Sequence, residues 1–166
     1  RNIRCVVVVA LGCLAVCQFK MKIFVLRKQH FQNDERIAGG SVAGHGFLGA
    51  AGAQVRMTNT LMTDPDVLES RFPVRLENFS IRKGSGGKGA WTGGDGIRRV
   101  VKFLNPVTVT TLCSHRIVPP FGVGGGSPGM VGLDTVIRAN GAREQQPGNT
   151  EVHLESGDAF EMLTPG

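Results

Sequence analysis

The side chains suited to nucleophilic or metal chemistry are few. Cys113, Ser114 and His115 are consecutive, while His45 and His153 stand far from them in the chain. Neighbouring strand residues point to opposite faces, so Cys113 and His115 share a face if this stretch is a strand. A strand cysteine is nonetheless most often a small core residue. No Cys-x-x-Cys pair and no Cys/His set has zinc spacing. Three carboxylates are placed for acid–base work: Glu35, Asp64 and Asp95. Asp64 precedes Pro65 and suits a helix cap. Asp95, in Gly93-Gly94-Asp95-Gly96, suits a turn. Glu35 has no such structural role.

Two glycine motifs invite a nucleotide and fail on context. Gly84-x-Gly86-x-x-Gly89 matches the dinucleotide fingerprint in letters. That fingerprint needs a helix to start at its glycines, so that helix amides hold the pyrophosphate. Ala90-Trp91-Thr92-Gly93-Gly94 follows instead and cannot start a stable helix. At Gly87-Lys88 a phosphate loop would need Ser or Thr next, and Gly89 stands there. The run Ile37 to Gly52 is also rich in glycine and small residues. It is either a plain loop or a place where backbone approaches a ligand or another strand.

The elements that must position these groups follow from composition and pattern. Glycine supplies 24 of 166 residues, about twice the usual share of roughly 7%, which implies many tight turns. Lys and Arg outnumber Asp and Glu by 19 to 13, but the densest basic runs are pairs, Arg82-Lys83 and Arg98-Arg99. With one Trp and no Tyr to stack bases, this is not the footprint of a nucleic-acid binder. The body carries a single cysteine, Cys113, so no disulfide framework is expected there and a reducing, cytoplasmic setting is.

Residues 1–33 stand apart. Cys5 to Cys17 are thirteen apolar or small residues behind Arg1 and Arg4, the shape of a signal peptide and short for a membrane span. Secretion would make Asn78-Phe79-Ser80 a glycosylation sequon. Gln18 to His30 has neither clean helical nor clean strand periodicity. The segment is left unassigned, with a foreign or divergent stretch favoured over a signal peptide, and a signal peptide over a core strand.

From residue 34 onward the pattern predicts an α+β, β-dominated domain with one short helix and about six or seven strands, in a small sheet or barrel-like arrangement. The helix is expected near 64–71, ended by Phe72-Pro73. Val74 and Leu76 alternate, then Phe79 and Ile81 do so out of phase, which predicts a bulge. Ile97–Leu104, Val107–Cys113 and Leu133–Arg138 read as strands, with Asn140-Gly141 as a hairpin turn. Thr150–Leu154 and Ala159–Leu163 read as a final pair around Ser156-Gly157-Asp158.

The order of these segments resembles the C-terminal region of hydantoinase B/oxoprolinase proteins. The landmarks are Ile37-Ala-Gly-Gly40, Met57-Thr-Asn-Thr60, Thr63-Asp-Pro65, Arg71-Phe-Pro73, Gly84-Ser-Gly-Gly87, Gly93-Gly-Asp-Gly96, Val118-Pro-Pro120 and Thr164-Pro-Gly166. The spacing from Met57 to Pro65 is closest to eukaryotic-type 5-oxoprolinases. The chain departs from the family at Asn33 and Asp34 (an aromatic pair), Leu48 (commonly polar), Arg56 (usually His) and Leu61 (often Arg).

The resemblance implies ATP-dependent opening of a cyclic amide, 5-oxoproline to glutamate, in glutathione turnover. It also implies an A-type domain or subunit that handles ATP with Mg, no cofactor or metal on this chain, a homo-oligomer in the intact protein, and no nucleic-acid or membrane partner. Asn59, Thr58 and Glu35 are then the catalytic candidates, and Gly39, Gly40, Thr60 and Asp64 the substrate contacts. Amides near Gly39-Gly40, with Asn59, would meet the developing oxyanion. The chain is expected to be a truncated piece, inactive alone.

Overall fold

The computed structural model describes residues 16–25, 29–54 and 62–166. Among them are one helix, α1 (Pro65–Arg71), and nine strands. These are β1 (Val16–Val25), β2 (Gln29–Ala38), β3 (Val74–Arg82), β4 (Gly96–Phe103), β5 (Val107–Cys113), β6 (Leu133–Ile137), β7 (Arg143–Gln146), β8 (Asn149–Leu154) and β9 (Ala159–Leu163). The chain is the β-dominated α+β domain that its pattern predicts. Every pairing is antiparallel, in two open sheets ordered β2-β1-β5-β8 and β3-β4-β9-β6-β7.

Period-two alternation decides which face of each sheet is buried. On β4 it turns Ile97, Arg99, Val101 and Phe103 inward, and on β5 Val107, Val109, Thr111 and Cys113. The two inner faces meet in one core. Phe19 of β1 lies against Phe160 of β9, ring centroids 5.6 Å apart and planes tilted by 45°. Met21, Ile37, Leu68, Val136, Leu154 and Met162 complete the packing. Each such side chain contributes about 1.5–3 kcal/mol of burial free energy.

Local signals behave as their chemistry requires. The Asp64 carboxylate accepts the Asp66 amide at the start of α1, Pro65 occupies the first turn, and Phe72 is extended at its end. Register shifts between Leu76 and Asn78, the expected bulge. Gly141 takes φ of +87° in the turn between β6 and β7.

Other expectations need correction. The stretch 18–30, without clear periodicity, contributes to β1 and β2, and β1 is an inner strand paired on both sides. The division expected at 33–34 falls inside β2. β8 and β9 do not pair with each other: β8 lies on β5, whereas β9 lies between β4 and β6. Ser156-Gly157-Asp158 therefore crosses between sheets. Alternation marks a segment as a strand but does not name its partner. β7 (Arg-Glu-Gln-Gln) was not foreseen, because an edge strand without a buried face carries no apolar signal. Cys113 is disulfide-bonded, with Cys17 directly opposite it in the β1–β5 register, so it is not a free core thiol and no longer argues for a reducing setting. The apolar run Cys5 to Cys17, for which a signal peptide is the second reading, lies mostly outside the described residues. Among those that are described, no helix is long and apolar enough to cross a membrane.

Candidate functional site

Four glycine-bearing segments, 39–52, 84–96, 120–130 and 164–166, converge at one end of the two sheets and bond to one another through backbone. Gly94 donates to the Ser41 carbonyl at 2.9 Å, Gly49 to Thr92 at 2.9 Å, Gly52 to Asp95 at 2.9 Å, and Gly40 to Pro165 at 3.0 Å. A Cβ on Gly40 would overlap the Gly94 carbonyl, and one on Gly94 the Ala50 carbonyl. At Gly40, Gly49, Gly86, Gly87, Gly94 and Gly96 glycine is required by chain-on-chain packing, whereas Gly46 and Gly84 serve turns of positive φ. Thr164 locks the junction: its buried hydroxyl accepts the Ile97 amide at 2.7 Å and donates to the Ala38 carbonyl at 2.9 Å. Asp95 fills its turn role by accepting the Gly86 amide at 2.8 Å.

Above this junction lies a small cavity of about 90 Å³, lined by Val42, Lys88, Trp91, Phe121 and Val123 over a glycine floor. His45 rests on Trp91 with ring centroids 4.7 Å apart. No pyrophosphate helix starts at Gly84 to Gly89; the segment is turn and loop.

Glu35 sits on the inner face of β2 and is 5% exposed. Its carboxylate meets the Arg99 guanidinium of β4 at 2.5 Å, and Arg99 is 2% exposed. The contact is an ion pair out of hydrogen-bond alignment, because both Glu35 oxygens and Arg99 Nε and Nη1 lack hydrogen-bond partners among the described residues. Thr111 Oγ1 and Asn33 Nδ2, on the same sheet, are likewise unsatisfied. Arg99 was not foreseen as a partner. Its signal was present: it occupies an apolar phase of β4, between Ile97 and Val101.

The other candidates divide as follows. The Gly40 amide is engaged by Pro165, and Gly39 is buried beside it. Asp64 caps α1. Thr58, Asn59 and Thr60 lie outside the described residues. Glu35 lies within β2 against β4, Gly39 and Gly40 follow the end of β2 at the glycine junction, and Asp64 belongs to the helix start.

A second concavity of about 860 Å³ opens beside the end of β5, lined by Ser114, His115, Arg116, Gln145, Gln146 and Asn149 among others. His115 has φ of +54°, a left-handed conformation uncommon outside glycine, and its Nδ1 lies 3.0 Å from the Val118 carbonyl. Arg116 grips buried Asp134 through two bonds of 2.8 and 3.0 Å. Burial pushes the Asp134 carboxyl up, and the bonds and charge of Arg116 only partly oppose this. With Cys113 in a disulfide, Cys113-Ser114-His115 is not a cysteine nucleophile with its base. No group of three metal-ligating side chains occurs among the described residues.

The family model for hydantoinase B/oxoprolinase matches residues 3–166. The chain belongs to this family. It is 39% identical to 5-oxoprolinase 1 of Arabidopsis thaliana over 161 residues, covering 97% of this chain and 13% of that one. It is 36% identical to the 5-oxoprolinase of Dictyostelium discoideum, with the same two coverages. It therefore spans about an eighth of the length of these relatives. Among solved structures, nucleotide-free acetone carboxylase superposes with a TM-score of 0.76 at 16% identity, over 93% of this chain and 26% of that one. The ATP-dependent caprolactamase of Pseudomonas jessenii gives 0.64 at 19% identity, over 95% and 30%. At such identities the agreement is one of fold.

Proposed function

We propose that this hydantoinase B/oxoprolinase chain serves as one part of an ATP-dependent cyclic-amide hydrolase whose substrate is 5-oxoproline and whose product is glutamate. The observation that carries the reading is the 39% identity to the plant 5-oxoprolinase 1 along nearly the whole chain. An unstrained lactam resists water because its carbonyl carbon is a poor electrophile and its nitrogen a poor leaving group. Transfer of the γ-phosphoryl group to the amide oxygen makes the carbon electrophilic. With ADP released, one water would add to the carbon, and the carbon–nitrogen bond would open as the nitrogen takes a proton. A second water would displace phosphate, with the original oxygen, from the resulting acyl phosphate to leave the carboxylate. An A-type domain or subunit, outside this chain, would hold ATP and Mg. On this chain the glycines after β2, Gly39 and Gly40, would face the ring, together with Asn59.

The fold supports a second reading, a non-catalytic scaffold derived from such an enzyme. Three of the candidates are already engaged: Glu35 by Arg99, the Gly40 amide by Pro165, and Asp64 by the helix. Measuring 5-oxoproline-dependent ATP hydrolysis, with this chain alone and with an A-type partner, separates the two. Turnover only with the partner supports the enzyme reading. Full turnover by the partner without this chain, or none with both, leaves the scaffold reading standing.

A further inference from the structure

The glycine junction carries a preformed surface that the enzyme reading does not use. Val42, Trp91, Phe121 and Val123 are 46%, 38%, 56% and 59% exposed, yet all four line the one cavity above the junction. These residues come from three segments far apart in sequence, so their convergence is a property of the fold. Nor does it reflect loose loops. Ser127 donates to the Lys88 carbonyl at 2.7 Å, Gly93 to Gly87 at 2.8 Å, and Gly129 to Pro120 at 3.0 Å. The floor is glycine backbone, and a Cβ at Gly87 or Gly122 would strike the chain across from it. Among the described residues, no side chain fills the hollow.

The size of the hollow restricts its occupant. At about 90 Å³ it holds about three waters, well short of the roughly 300 Å³ or more of a small-molecule site. One apolar side chain fits. Lys88, the one charged residue of the lining, makes no ion pair among the described residues. Apolar walls with an unmatched cation at the rim describe half of a protein–protein contact. This chain also spans only 13% of the plant relative and 26–30% of the solved structures, so most of the polypeptide in such proteins lies outside the part seen here.

We propose that the Val42–Trp91–Phe121–Val123 face docks the remainder of a hydantoinase B/oxoprolinase protein, which inserts one apolar side chain into the hollow and sets an acidic residue against Lys88. This rests on the reading of the chain as one part of such an enzyme. The test places these residues in a full-length setting: the plant 5-oxoprolinase 1 with its matching segment replaced by this chain. Hydroxyl-radical labelling of Trp91 and Phe121 is compared between the chain alone and the chimera. The expected result is at least a fivefold slower labelling in the chimera, with exposed Leu104 little changed; equal labelling overturns the proposal.

A second measurement does not depend on the chimera. This chain is titrated against the plant enzyme lacking its matching segment. Phe121→Asp is expected to weaken association at least tenfold and Lys88→Glu about tenfold, whereas Leu104→Asp has little effect. No association, or association indifferent to Phe121→Asp, overturns the docking. So does self-association of this chain that Phe121→Asp abolishes, since that assigns the face to a second copy. A protected face in a chimera without 5-oxoproline-dependent turnover keeps the docking and removes the substrate reading. Turnover with the face fully labelled does the reverse.

Discussion

Glu35 and Arg99 meet at 2.5 Å between the two sheets, each almost wholly buried, one from β2 and the other from β4. Removing one partner of a buried pair leaves an uncompensated charge, which costs about 3–5 kcal/mol. Arg99→Met is therefore expected to destabilise the chain by about that amount in urea unfolding. The double variant Glu35→Leu with Arg99→Met should recover most of the loss, because paired desolvation is then removed altogether. A double variant no more stable than Arg99→Met would show that the pair is not the source of the effect.

The glycine junction makes a contrast between positions of the same residue type. At Gly94 the added methyl group of Ala would overlap the Ala50 carbonyl, in backbone that cannot swing away. Gly94→Ala should cost about 3 kcal/mol or more, the upper range of overpacking. At Gly124 nothing lies within 4 Å, but φ is +62°. Gly124→Ala should cost only the left-handed penalty of about 1–2 kcal/mol. Thermal melts of the two variants check the order.

Two buried aspartates give acid unfolding opposite slopes. Burial pushes the Asp158 carboxyl up, but the amides of Glu155 and Ala139 and the Arg138 guanidinium outweigh it, so its pKa lies below the ordinary value. A depressed folded pKa contributes stability above the unfolded value of about 4, lost as pH falls through the folded pKa. Asp134 is raised by burial, so its contribution is present below the unfolded value and is lost as pH rises through the folded one. Asp158→Asn should flatten the fall in stability below about pH 4, whereas Asp134→Asn should remove the loss of stability that sets in as pH rises above about 4. Denaturant titrations at several acid pH values read both slopes.

Asp64 tests a substrate contact against a cap. Asp64→Ala removes the acceptor for the Asp66 amide and should cost about 1 kcal/mol, whereas Asp64→Asn retains an acceptor and should restore most of it. In an intact relative, activity that tracks stability through both changes identifies a cap. Activity lost in Asp64→Asn with stability intact identifies a substrate contact.

What local chemistry determines was legible in the chain. The Asp64-Pro65 start of α1, the slip in β3 seen as a change of phase, and the Asn140-Gly141 turn each depend on a few adjacent residues. Family membership was legible too, from the order of landmarks between Ile37 and Gly166. Tertiary structure decided the rest, because it depends on pairing between residues far apart. It put β1 and β2 into one sheet with β5 and separated β8 from β9. It turned Glu35 from an unexplained carboxylate into the partner of Arg99, and the glycine runs from loops into a packed junction. A side chain's phase says which face it takes; only the fold says what waits on the other side.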